Sequence, residues 1–133
     1  MEFLKHLKNI YGDKELGSMR QVYIMCGLTE FDLPQKSKGI EFNNDIILSV
    51  QGSFGHYCTP RKTLSYDQYK SMEFAILKNH EFTDVKEIID TDKFDEYYDD
   101  TVYGYVPVSE IEWLYQELKK KYGLKGGKKN DIN

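Results

Sequence analysis

Between Ser49 and Lys62 the chain reads SVQGSFGHYCTPRK, which sets His56, Tyr57, Cys58, Arg61 and Lys62 behind two glycines. His56 and Cys58 are two apart, so on an extended backbone they point to the same side. A thiolate beside an imidazole is the minimum for a cysteine nucleophile. Yet catalytic pairs usually come from separate elements, and such a base must itself be oriented by a third group. The alternative is that Cys58 packs as a small apolar residue while His56 faces solvent. A metal would need Cys26, His80 or a carboxylate as further ligands, and neither Cys-x-x-Cys nor His-x-x-x-His spacing is present. No catalytic set, metal site or cofactor is therefore assigned, and the expectation is a protein that is not an enzyme.

The same loop suggests a binding chemistry. Gly52-Ser53-Phe54-Gly55 completes neither the dinucleotide nor the P-loop pattern. Glycines that expose backbone amides ahead of Arg61 and Lys62 can still hold an anion such as a nucleotide phosphate. In that reading His56, Tyr57, Arg61 and Lys62 form the ligand site, with Tyr57 stacking on a base. Against it stands a glycine-bearing strand connection with ordinary surface cations.

A second stretch carries charge rather than nucleophiles. Residues 81–100 hold nine acids and two bases, a local charge of −7, within a chain whose net charge is −4. Asp92, Asp95, Glu96, Asp99 and Asp100 are interleaved with Phe94, Tyr97 and Tyr98. The glycine and terminal glutamate of an EF-hand loop are missing, so calcium binding is not indicated. Either this is a solvated loop, or it is a carboxylate array able to compete for a basic groove that holds nucleic acid. Such grooves attract phosphates by charge and bases by stacking. Direct nucleic-acid binding is not expected, because the only basic clusters are Arg61-Lys62 and the lysines near the C-terminus.

The elements that must carry these residues follow from patterning. Phe3, Leu4, Leu7, Ile10 and Tyr11 recur at helical spacing before Gly12, which predicts a short amphipathic helix. Arg20 to Cys26 is rich in strand formers, and Pro34 to Gly39 reads as a polar connector. Gly39 to Gln51 reads as a hairpin turning at Asn43-Asn44-Asp45. Met72 to Leu77 and Val102 to Val106 are further strands, while Val85 to Ile89 fits a strand or a helical turn. Ser109-Glu-Ile-Glu112 predicts a capping box, with Val108 and Trp113 as its hydrophobic staple. Ile111, Leu114, Tyr115, Leu118 and Tyr122 form the apolar stripe of a C-terminal helix ended by Gly123. The sum is an α+β domain: an antiparallel sheet of about four to six strands with N-terminal and C-terminal helices. The expected organisation is one domain over residues 1–122 and a flexible basic tail over 123–133.

Composition fits that reading. A chain of 133 residues is one domain's worth and buries roughly two-thirds of its unfolded surface. Eleven tyrosines and seven phenylalanines against one tryptophan favour rings with one packed edge and one wet edge. No apolar run spans a membrane and no secretory signal opens the chain, so the expected address is cytosolic. Cys26 and Cys58 are expected to stay reduced there. A homo-oligomer is compatible with the sequence.

An ordered set of short pieces resembles a group of small phage and prophage proteins. The pieces are Phe42-Asn-Asn, Ser49-Val-Gln51, Gly55-x-Tyr57-Cys58, Glu73-Phe-Ala75 and Val102-x-Gly104-Tyr105 ahead of a helix. The group's pattern runs Phe-x-Asn-Gly, Ser-Val-Gln, Gly-Asn-Tyr-Cys, Glu-Val-Ala, then Gly-Trp or Gly-Tyr. The likeness covers about residues 40–118; Asn44-Asp45 stands for Asn-Gly at the turn, and His56 for the asparagine. The resemblance implies a mobile-element origin and carries no activity with it. The functional expectation is then a non-enzymatic inhibitor of a host nucleic-acid-directed defence system, such as a CRISPR nuclease. It would act in the host cytoplasm on a partner with a basic groove, through Asp92, Asp95, Glu96, Tyr97, Tyr98, Asp99 and Asp100. The alternative is a binding protein that sequesters a nucleotide-like signal at the glycine loop.

Overall fold

The computed structural model describes residues 1–126. The hairpin forms as the turn chemistry demands. Strands β1 (Ile40–Phe42) and β2 (Ile46–Gln51) pair with Phe42 opposite Ile46, and Asn44 and Asp45 take φ of 67° and 58° at the corner. These are residues that tolerate the left-handed region. Strand β3 (Ser71–Lys78) pairs antiparallel along the whole of β2. β4 (Glu81–Thr83) returns from β3 through Asn79 and His80, both at positive φ as a tight two-residue hairpin turn requires. β5 (Tyr98–Asp99) and β6 (Val102–Pro107) make a third hairpin, and β6 joins β3 on the edge away from β2. The result is a six-stranded antiparallel sheet in the order β1-β2-β3-β6-β5, with β4 also on β3. With helices α1 (Asp13–Met25) and α2 (Val108–Tyr122) the fold is mixed α+β.

The core lies between the sheet and α2. Ile111, Leu114, Tyr115 and Leu118 are buried against Phe42, Leu48, Phe74 and Ile76, as the apolar stripe predicts. The capping box does not form. The helix starts two residues earlier, with Pro107 at its N-cap, and Ser109 is exposed. Glu112 instead accepts the backbone N–H of Phe3 at 3.0 Å and the amide of Gln116 at 2.7 Å. A partner brought by the tertiary fold has displaced the local one. Val108 and Trp113 are half-buried against the core.

The N-terminal third departs most from expectation. Only Phe3–His6 forms a 3-10 turn, and Leu7 turns extended. The backbone of residues 8–10 then pairs with 36–38 through Ile10 N–H to Lys36 O and Lys38 N–H to Lys8 O. The helix lies further on, at Asp13–Met25, across the stretch Arg20–Cys26 that strand propensity favoured. Gly12 N–H donates to Glu15 Oε1 at 3.2 Å, and Asp13 and Glu15 sit in the positive first turn. The apolar run Val22-Tyr-Ile-Met25 has neither period, which is why its pattern misleads. The helix buries no side chain completely, and Met25 is 85% exposed. Val85–Glu87 resolves as a 3-10 turn. Of the residues expected as a tail, Leu124 bridges to Phe42 and Lys125 N–H bonds Glu41 O, while 127–133 lie outside the described residues.

Candidate functional site

The glycine loop is tied down from within. Gly55 N–H donates to Ser53 Oγ at 3.0 Å, Phe54 N–H to Thr63 Oγ1 at 3.4 Å, and His56 N–H to Ser53 O at 3.2 Å. Tyr57 N–H donates to the carboxylate of Glu73 at 3.1 Å. No amide from 54 to 57 is left for a phosphate, and an acid sits beside the loop. Arg61 lies over the Tyr57 ring at 5.2 Å, and Lys62 over the Phe31 ring at 5.3 Å, so the two cations do not converge.

His56 and Cys58 do not form a reactive pair either. The Cys58 thiol is buried and donates to Ser53 O at 3.2 Å. Burial pushes its pKa up, further from a thiolate. His56 Nδ1 lies 2.7 Å from Ser53 Oγ. That hydroxyl oxygen also accepts from Gly55 and still has a proton and a second lone pair, so it can pair with Nδ1 in either tautomer. Burial lowers the His56 pKa, against an opposing pull from Glu73. Cys26 and Cys58 are free. Among the described residues, no group of three His, Cys, Asp or Glu is placed to hold a metal.

The acidic segment is folded, and its two kinds of residue separate. Val85, Ile88, Ile89 and Phe94 are buried. Phe94 meets Phe74 edge-on at 5.3 Å and lies 6.1 Å from the Trp113 ring. The buried hydroxyl of Tyr103 donates to Asp84 Oδ1 and accepts the N–H of Val85, pinning the start of the segment. Burial and the Asp84 charge both raise the Tyr103 pKa. Asp95–Tyr97 forms a 3-10 turn that leads directly into β5. Asp95 pairs with Lys86 at 2.9 Å on the surface. Asp92, Glu96, Asp99 and Asp100 are exposed and, among the described residues, make no ion pair. Tyr97 is half-buried and donates to Glu110 at 3.2 Å.

These two stretches, far apart in the chain, meet in the fold. A bulge brings them together. Between Met72↔Val106 and Phe74↔Tyr103 the register shifts, so Glu73 faces both Gly104 and Tyr105. Bulges re-aim side chains. Here Tyr105 takes φ 54°, its N–H bonds Tyr57 O at 3.0 Å, and its ring lies 5.8 Å from that of Tyr57. Gly104 makes the contact close: a Cβ there would stand 2.9 Å from Tyr57 Cβ. Tyr57, Gly104 and Tyr105 thus form one side of a cleft of about 330 Å³, and Glu96, Tyr97, Tyr98 and Asp99 form the other. Tyr57 and the acidic tyrosines, assigned to rival readings from the sequence, line one site. Three pieces of the ordered pattern, Gly55-x-Tyr57-Cys58, Glu73-Phe-Ala75 and Gly104-Tyr105, also meet here. A glycine inside a strand pattern signals such a close approach.

Set against protein-family models, curated proteins and solved structures, the chain finds no match in any of the three. No helix among the described residues is long and apolar enough to cross a membrane.

Proposed function

We propose that this is a non-enzymatic binding protein of phage or mobile-element origin. In this reading it inhibits a host nucleic-acid-directed defence nuclease, such as a CRISPR effector, in the host cytoplasm. Its acidic, tyrosine-bearing face docks on a cationic groove of that partner. The observation that carries the reading is the split within residues 81–100, where Val85, Ile88, Ile89 and Phe94 anchor the backbone while Asp92, Glu96, Asp99 and Asp100 stand outward with no ion pair among the described residues. Charges fixed on a packed scaffold lose little further freedom on binding, which favours affinity. Carboxylates beside tyrosine rings meet both demands of a groove that grips phosphates and stacks bases. The phage origin rests on the ordered resemblance alone.

The test is a plating assay in a host that carries an active CRISPR system. Expression of the wild type should restore plating of a targeted phage. The variant with Asp92, Glu96, Asp99 and Asp100 all changed to lysine should not, while circular dichroism shows its fold retained. Asp95 is left in place because it pairs with Lys86. Full protection by the reversed variant would refute the reading.

A further inference from the structure

We propose that the cleft between the β6 bulge and the acidic segment is a recognition site for a guanidinium group, borne on an arginine of the partner. This rests on the reading above and names the chemistry at its centre. Tyr57, Tyr98 and Tyr105 line the cleft together with Glu96 and Asp99, and no basic residue lines it. An anion is repelled by such a lining, and a purely apolar group leaves the carboxylates without a partner. A cation satisfies both parts, through the negative faces of the rings and through charge-assisted hydrogen bonds. Its volume of about 330 Å³ leaves room for such a side chain.

Between cations, a guanidinium fits better than an ammonium. It is planar and weakly hydrated, stacks on aromatic faces, and offers forked donors to carboxylates. The chain's own Arg61 already uses Tyr57 as such a platform at 5.2 Å. A second feature points to a built site. Tyr105 is a bulky, 48% exposed residue held at φ 54°, a conformation that glycine would adopt without strain. Strain of this kind is typical of ligand clamps.

The test is an NMR titration of the full chain with three probes: N-acetyl-arginine-N-methylamide, its lysine counterpart, and free arginine. Saturable shifts at Tyr57, Tyr98, Gly104 and Tyr105 are expected with the blocked arginine. Binding should be about tenfold weaker for the lysine probe, whose strongly hydrated ammonium lacks the planar fork that stacks on the rings and reaches the carboxylates. Free arginine should also bind more weakly, because its carboxylate meets Glu96 and Asp99. Tyr105→Gly, which keeps the backbone, should lose about tenfold with one cation–π contact, about 1.4 kcal/mol. Absence of saturable shifts, or equal binding of the lysine probe, overturns the guanidinium site. Equal binding of free arginine keeps the site but overturns its protein-borne source. In the plating assay, full protection by Tyr105→Gly beside failure of Asp92→Lys/Asp100→Lys would overturn the cleft and leave the surface reading standing. Intact arginine binding by a wild type that never protects would do the reverse.

Discussion

Tyr105 offers a sharp check on the geometry that builds the cleft. At φ 54° it lies in the left-handed region, where a residue with a Cβ is strained by about 1–2 kcal/mol. Glycine escapes that strain, but its freer unfolded chain costs about 0.5–1 kcal/mol relative to alanine. Comparing Tyr105→Gly with Tyr105→Ala removes the same ring twice, so their difference isolates the backbone. The glycine variant should be the more stable by about 0.5–1 kcal/mol, the reverse of the order at an ordinary strand position. The residue is 48% exposed, so loss of its ring forfeits only about 1 kcal/mol of burial. Tyr105→Gly should therefore unfold close to the wild type, and Tyr105→Ala about 1 kcal/mol earlier. Urea denaturation followed by circular dichroism measures this, with unchanged slopes expected. In a thermal scan the two variants should differ by about 2–5 °C. An alanine variant as stable as the glycine variant would show that Tyr105 does not sit at positive φ, and the cleft as described would go with it.

Three further outcomes follow from other contacts. Glu2 accepts the Tyr115 hydroxyl and Lys119 Nζ, each at 2.6 Å, and these bonds hold its carboxyl at about 2 against an ordinary 4.5. Its contribution is present above pH 4.5 and fades as the pH falls toward 2, so Glu2→Gln should flatten that limb. Its side chain is 35% exposed, so the loss at neutral pH should be about 1 kcal/mol by urea titration. His56, whose pKa burial depresses, stays neutral where the unfolded chain protonates; stability should be full above pH 6.5 and decline below it. His56→Asn, the residue of the phage pattern, should remove that decline in acid denaturation. Phe94→Ala should destabilise by about 3–5 kcal/mol as a core truncation. It should also change the fluorescence of Trp113, the single tryptophan, because Phe94 packs beside that ring.

How much of this was legible depends on whether the deciding contacts are local. The β1–β2 hairpin follows from alternation around Asn43-Asn44-Asp45, and α2 from a stripe that every turn repeats. Such signals lie within a few residues of what they decide. α1 was missed because its apolar residues cluster at one end without a period, and the capping box failed because Phe3, over a hundred positions away, claimed Glu112. β5 is two residues long and exists only because Tyr98 and Asp99 pair with β6. For the site, the chemistry was legible and the juxtaposition was not. Tyr57 and Tyr105 are brought together by a register shift, which composition does not encode. Gly104 inside an otherwise unbroken strand was the one available signal.

The acidic segment also explains why salt should act in opposite directions on the free and bound protein. Nine acids and two bases within residues 81–100 repel one another, and among the described residues only Asp95 is relieved by an ion pair within the segment. Such self-repulsion opposes the compact state. It is offset by the burial of Val85, Ile88, Ile89 and Phe94, each of which contributes about 1.5–3 kcal/mol. Raising the salt shortens the Debye length from about 10 Å at 0.1 M to about 3 Å at 1 M, which screens charges on neighbouring residues. The free protein should therefore become more stable with added sodium chloride. A complex held by the same carboxylates should weaken over that range. Melting scans and binding titrations in matched buffers read the two trends. If both strengthen with salt, the acids do not hold the partner; if both weaken, they do not strain the free fold.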